Sequence, residues 1–427
     1  MNPLSHRAFA RHFGTAALVI ALAAIHPVRA EDPDPAALSL EDAAQLAIGA
    51  QPLLDAQRQA IRSARESAIA AGQLPDPMLV GGITDLTVTG ADRYTLRNES
   101  DTQFMLGVRQ TFPGGDKREL RSARSNAQSA RLEAELQDQT RMVRREAALA
   151  WLEVWKATQA QSIVKASIRE AERQIEVTDI AYRSGRAMQA DLLTARVSLE
   201  LLNDQLAGYQ QREWHARNQL RRWIGADAER TVCPDLPEWS APDLPSLLAN
   251  LEHHPHLAVQ ARAAAVARAE LGLAKADYSP DWSLQAGYGY RPEFEDYASL
   301  QFEVGLPFFT RNRQDRLSAA RSADVEQAED LRSDLLRQHV ASIQLNTADW
   351  QRLQDRLARY DTVIQPQAQQ RLETVLAAYG AGSGQLLPVL DARRSLLEIR
   401  MQRLELQFDA AMHQVQLQYF AYEGPQS

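Results

Sequence analysis

The chain repeats itself at a fixed distance. Tyr182, Gly185, Leu192, Leu193, Ala195 and Arg196 recur as Tyr379, Gly382, Val389, Leu390, Ala392 and Arg393. The shift is constant, since 379 − 182 and 393 − 196 both give 197. A unit of this size is far longer than the modules of roughly 20–50 residues that stack into solenoids. The chain therefore reads as two copies of one structural half, spanning 31–225 and 244–427 and joined by a linker at 226–243. What one half contains decides what the whole can be.

Each half is dominated by long helices with a narrow apolar seam. From Val143 a 4-3 spacing selects Val143, Ala147, Ala150, Val154, Ala157, Gln161, Val164, Ile168, Ala171, Ile175, Thr178 and Tyr182, of which only Gln161 and Thr178 are polar. The next helix continues with Leu192, Ala195, Leu199, Leu202, Leu206, Tyr209, Glu213, Ala216, Leu220 and Trp223. A sustained 3.5-residue period marks a coiled-coil seam rather than the broad stripe of a globular helix. The second half repeats it with Val389, Ala392, Leu396, Ile399, Leu406, Ala410, Leu417 and Phe420, interrupted at Arg403 and His413. Upstream, Ile343, Trp350, Leu353, Leu357, Tyr360 and Ile364 hold one phase, and Leu372, Val375 and Tyr379 hold another. Pro366 sits at the change and predicts a kink there. A helix from Arg118 to Arg183 would be about 100 Å long at 1.5 Å per residue.

Four short segments have period 2 instead, which predicts strands at about 78–89, 102–112, 281–291 and 297–308. Trp282, Leu284, Ala286, Tyr288 and Tyr290 form one apolar face, and Ala298, Leu300, Phe302, Val304, Leu306 and Phe308 another. Phe104, Leu106 and Val108 do the same in the first half, while the weakest segment places Val80, Leu86 and Val88 together. Each predicted strand is close to the roughly 9–11 residues of a tilted membrane-crossing strand. Phe112, Trp282, Tyr290, Tyr297, Phe308 and Phe309 sit at strand ends, as in an interfacial girdle. The competing expectation is a soluble sheet packed on the helices.

The N-terminus tips the balance. Arg7 and Arg11, the apolar run Phe13–Ile25 and Val28-Arg29-Ala30 form a cleavable signal peptide over residues 1–30. The apolar run is short for a spanning anchor, and no cysteine follows the cleavage point for lipidation. The mature chain then holds 55 acidic residues against 47 − 3 = 44 basic ones, which argues against nucleic acid as a partner. Cys233 is the single cysteine, so no intrachain disulfide exists.

Four strands cannot close a barrel, because about eight is the minimum. An open edge in lipid would leave backbone groups unpaired at several kcal/mol each. Spanning strands therefore require several chains, two for eight strands or three for twelve. Small polar residues on the second face suit a wet lumen, which favours twelve strands and a trimer.

With the repeat, the order helix–two strands–two long helices in each half, and the proline junctions in place, the chain resembles the TolC family of outer membrane efflux proteins over essentially all of its mature length. The repeated Tyr-x-x-Gly with the following Leu/Val-Leu-x-Ala-Arg carries the resemblance. Gly72–Pro77 and Gln110–Arg118 resemble the cation-efflux (CusC/CzcC-like) branch. The family implies a mainly α chain with a small β part, in which long helices form an α-barrel and four strands per chain enter a trimeric 12-stranded β-barrel. It implies a homotrimer set in outer membrane lipid and reaching into the periplasm. It also implies a periplasmic adaptor and an inner membrane efflux transporter, of resistance-nodulation-division type, as partners. Such a duct exports cargo, here read as heavy-metal cations, with organic toxins or a secreted polypeptide as the alternative and a non-transporting adhesive coiled-coil trimer as a second one.

Candidate sites follow. In the family the helical hairpin tips dock the adaptor and narrow the pore, which points to Tyr182, Arg183, Ser184 and Gly185 in one half and Tyr379, Gly382 and Ser383 in the other. Helix capping is the simpler role for these residues. Asp179 and Asp191 lie within two turns of the first tip; carboxylates from three chains would favour cations, whereas a solvated helix face needs no such role. His253, His254 and His256 invite a metal reading, but Pro255 parallels Pro52 at an offset of 203, which marks a helix start in both copies. No nucleophile–base pair or ligand cluster stands at catalytic spacing. The chain is thus read as no enzyme, with no cofactor.

Overall fold

A computed structural model describes residues 37–97 and 100–421; the signal peptide read at 1–30 lies outside them. The first half contains α1 (Leu40–Ala50), α2 (Pro52–Ala71), β1 (Met78–Thr84), β2 (Gln103–Phe112), α3 (Lys117–Arg183) and α4 (Gln189–Ile224). The second contains α5 (Leu244–Ala249), α6 (Pro255–Ala276), β3 (Trp282–Tyr290), β4 (Tyr297–Val304), α7 (Gln314–Arg359), α8 (Gln365–Gly380) and α9 (Leu386–Phe420). Among the described residues, no helix is long and apolar enough to cross a membrane.

The α3 seam is buried along most of its length: Val143, Ala147, Ala150, Val154, Ala157, Gln161, Val164, Ala171 and Thr178 are all inaccessible. Its two polar members are bonded across helices. Gln161 Nε2 donates to Glu213 Oε2 at 2.6 Å, and Thr178 Oγ1 lies 3.3 Å from Tyr379 OH. The α4 seam is thinner, with Leu199, Leu202, Leu206 and Tyr209 only half-buried. The seam breaks on α9 also have partners, His413 Nδ1 with Asn346 Oδ1 at 2.8 Å and Arg403 with Asp361.

Between α7 and α8 the chain makes a π-helical turn at Tyr360–Ile364. That is the physical form of the phase change read at Pro366. A π turn takes in one extra residue per turn, which moves the seam from Ile364 to Leu372, Val375 and Tyr379. It also sits where Pro366 has no N–H to donate.

The linker is packed rather than loose. Leu38 and Val232 form a parallel bridge, and Trp151 and Trp155 of α3 donate to Leu38 O (3.0 Å) and Pro234 O (2.8 Å). Cys233 lies half-buried at the edge of this core.

The strands form one antiparallel sheet in the order β1-β2-β3-β4. Two of them are shorter than predicted. β1 stops at Thr84 because Asp85 takes a left-handed φ of 58°, so Leu86 and Val88 belong to the loop. β4 stops at Val304: Gly305 N still bonds Asp281 O in register, but Pro307 cannot donate the next ladder bond and Phe308 N turns to Leu306 O, so Leu306 and Phe308 leave the sheet. The register also reassigns Val80: it opposes Gly107, on the polar face. Leu79, Gly81 and Ile83 take the apolar face in its place.

Candidate functional site

The ladder fixes which side chains share a face. Leu79, Val108, Ala286 and Leu300 form one row across all four strands, and Gly81, Leu106, Tyr288 and Ala298 the next. With Phe104, Phe112, Trp282, Leu284, Tyr290, Phe302 and Val304 this face is apolar throughout, apart from Gln110. It is also the open one, with Leu300 74% and Phe302 66% exposed. The opposite face carries Gln103, Arg109, Ser283, Gln285, Ser299, Gln301 and Glu303. There Ser283 and Gln285 are buried, and Arg109 donates to Gln285 at 2.9 Å. This inverts the usual rule for a half-solvated sheet. Aromatic residues mark both ends of the apolar face. Phe112 stacks on Trp282 at 4.2 Å with Phe302 beside it, and Phe104 meets Tyr290 at the far end. Among the described residues both outer strands, β1 and β4, present an unpaired edge.

Where helices meet sheet, the two halves are knotted together. Lys117, at the start of α3, is buried and donates to Asp281 Oδ1 (2.8 Å) and Ser279 O (2.9 Å). Gly114 N donates to the same carboxylate at 2.7 Å. Burial alone would raise the Asp281 carboxyl; the bonds from Lys117 and Gly114 outweigh it and hold the group below its ordinary value. Gly114 has no room for a side chain, because a Cβ would stand 1.9 Å from Pro280 O. Phe112–Arg118 and Gly72 thereby act as a structural joint, since Arg118 Nε donates to Gly72 O at 3.0 Å.

The two helical tips have the same turn. Ser184 N bonds Ile180 O, Gly185 N bonds Tyr182 O, and Arg186 N and Ala187 N bond Ala181 O. Residues 197 positions later repeat all four bonds: Ala381 N to Ala377 O, Gly382 N to Tyr379 O, and Ser383 N and Gly384 N to Ala378 O. The left-handed φ values of Gly185 (72°) and Gly382 (76°) explain the glycines. Sequence reading missed the contact that joins the tips: Gln174 Nε2 donates to Thr178 Oγ1, which meets Tyr379 OH. The polar residue in an apolar seam was its one visible signal.

The acidic pair has local partners. Asp179 is ion-paired with Arg183 at 2.6 Å, and Asp191 accepts from Met188 N at 3.0 Å at the start of α4. Tyr182, Arg183, Ser184 and Met188 are exposed.

The histidines separate. His253 is exposed, while His254 caps α6: its Nδ1 accepts from His256 N at 3.3 Å and its Nε2 meets Tyr419 O at 3.0 Å. Both ring nitrogens are thus engaged. His339 of α7, which sequence reading did not single out, packs on His254 and His256 with ring centroids 5.5 and 5.2 Å away. Burial pushes both His254 and His339 down to about 4. Among the described residues no group of three or more His, Cys, Asp or Glu is arranged to hold a metal ion.

Residues 248–420 match the family model described as outer membrane efflux protein. No curated protein sequence matches the chain. Among solved structures, the outer membrane protein VceC of Vibrio cholerae superposes with a TM-score of 0.73 at 20% identity, over 89% of this chain and 95% of that one. CusC, whose structures concern folding and transmembrane channel formation, gives 0.73 at 17% identity over 90% and 92%. The CmeC outer membrane channel of Campylobacter jejuni gives 0.74 at 12% identity over 89% and 85%. At these identities the likeness is one of fold.

Proposed function

We propose that the chain, whose residues 248–420 match the outer membrane efflux protein family model, is the outer membrane exit duct of a tripartite efflux system. The observation that carries this reading is the inverted sheet. Its apolar face is exposed from Leu79 to Phe302, whereas Gly107, Ser283 and Gln285 in the middle of its polar face are buried, and among the described residues both edges are unpaired. In water that arrangement would expose a continuous apolar patch. In lipid it is stable only when the edges are closed by other copies. Three copies give twelve strands around a wet lumen lined by the Gln, Ser and Arg face. The helices then continue the duct into the periplasm, where the paired tips meet an adaptor that leads to an inner membrane transporter. Asp179 and Asp191 of three chains stand beside that end of the pore.

The mature chain, purified in detergent, is expected to be a trimer by native mass spectrometry and to form discrete conductance steps in planar bilayers. A monomer without conductance would sink the reading. For cargo, divalent heavy-metal cations are our choice, supported by the resemblance of Gly72–Pro77 and Gln110–Arg118 to the cation-efflux branch. Deleting the gene should lower tolerance to such cations; a loss confined to organic toxins overturns the cargo and leaves the duct standing.

A further inference from the structure

Phe308 and Phe309, just past β4, are the two most exposed large apolar side chains described, at 76% and 84%. Leu306 N-terminal to them is also exposed, and a turn bond from Phe308 N to Leu306 O (3.0 Å) sets the segment off from the sheet. Arg311, Arg313 and Arg316 follow, all exposed. None of the three guanidinium groups has an ion pair or side-chain hydrogen bond among the described residues. The neighbouring carboxylate, Asp315, is taken by Tyr278 OH at 2.6 Å. Among the described residues the first half has no such feature. After Phe112 its cations turn inward, Lys117 to Asp281 and Arg118 to Gly72 O.

Two bare aromatic rings followed within two turns by three unpaired cations, at the end of an apolar sheet face, match one boundary. It is the layer where acyl chains give way to phosphates: aromatic rings settle at that depth, arginine stems lie along apolar surface with the head in the polar layer, and cations are drawn to anionic headgroups. We propose that residues 306–316 form an interfacial anchor on the helix side of the membrane. Phe308 and Phe309 enter the acyl layer, and Arg311, Arg313 and Arg316 hold phosphates of anionic phospholipid. This rests on the membrane-spanning reading of the sheet.

The test uses the mature chain in nanodiscs of phosphatidylglycerol and phosphatidylcholine, with Cys233→Ser as background. Nitroxides are placed at Phe309→Cys and Leu300→Cys, and their collisions with oxygen and with a water-soluble nickel chelate are compared. Both labels are expected in lipid, with position 309 shallower than position 300. A label in lipid at 300 but in water at 309 overturns the anchor and spares the spanning sheet. A label in water at 300 overturns the spanning sheet, and the anchor with it. In a second arm, Arg311→Gln/Arg313→Gln/Arg316→Gln should weaken phosphatidylglycerol retention about tenfold or more in native mass spectrometry. Unchanged retention overturns the proposal, as does a variant that falls to monomers while retaining the lipid, because the arginines then serve a second copy of the chain.

Discussion

At the residue scale, the most constrained positions are those where two chain segments approach too closely for an ordinary side chain. Gly114 faces the Pro280 carbonyl, and Lys117 neutralises Asp281 from a buried position. Lys117→Met should cost about 1–3 kcal/mol, less than a fully buried pair because Asp281 is half open to solvent; thermal melts of the mutant check it. Gly114→Ala should be worse, since backbone rather than a flexible side chain must move. The two tip carboxylates should behave differently from each other. Asp191→Ala removes a helix cap, worth about 1 kcal/mol, and Asp191→Asn should recover part of it. Asp179→Ala should lower single-channel cation selectivity if three such carboxylates face the pore. Unchanged selectivity in both alanine variants would remove the pair from the constriction.

At the scale of elements, the joint between α6, α7 and α9 is held by histidines that must stay neutral. His254 faces Arg141 of α3, His339 of α7, His256 of its own helix and the carbonyl of Tyr419 on α9. His339 faces His254 and His256. Both folded values, about 4, lie below the ordinary 6.5. The unfolded chain therefore takes up protons first as pH falls. Their contribution is complete above about pH 6.5 and is lost progressively down to about 4, on the order of 2–3 kcal/mol for each ring. Melting temperatures measured from pH 7 to 4.5 should fall, and His339→Phe should flatten the slope. A slope identical to the parent's would show that His339 does not titrate in this window. The π turn before Pro366 belongs to this scale too. It is anchored to α9 by Tyr360 OH on Gln402 (2.8 Å) and by Asp361 with Arg403.

At the scale of the whole molecule, the inverted sheet gives a sharp contrast between adjacent residues. Leu300 and Gln301 lie on opposite faces of β4. On the spanning sheet proposed above, Leu300→Arg would place a charge in lipid and should cost about 2–4 kcal/mol near the bilayer centre, seen as loss of heat-stable oligomer in the outer membrane. Gln301→Arg, one residue on, should assemble normally and alter conductance. Equal behaviour of the two variants would contradict the assignment of faces.

Local pattern made much of this legible in the sequence. The 197-residue offset foretold two tips, and the tips do share four hydrogen bonds at that offset, because a left-handed turn requires glycine at one defined place. Heptad spacing located the long helices, and a change of its phase located the π turn, because burial of a seam leaves a periodic trace. Strand ends were less legible. Period 2 continues in Leu86, Val88, Leu306 and Phe308 although the ladder has ended, because alternation reports side-chain polarity while a ladder depends on φ at Asp85 and on the missing donor of Pro307. The joint of Lys117 and Asp281, the stack of His339 on His254, and the bond from Thr178 to Tyr379 lay beyond sequence reading, since each joins residues far apart in the chain. Which face of the sheet is open was likewise a tertiary fact. Alternation shows that one face is apolar, but only the placement of the helices and neighbouring strands decides whether that face is buried in protein or left for lipid.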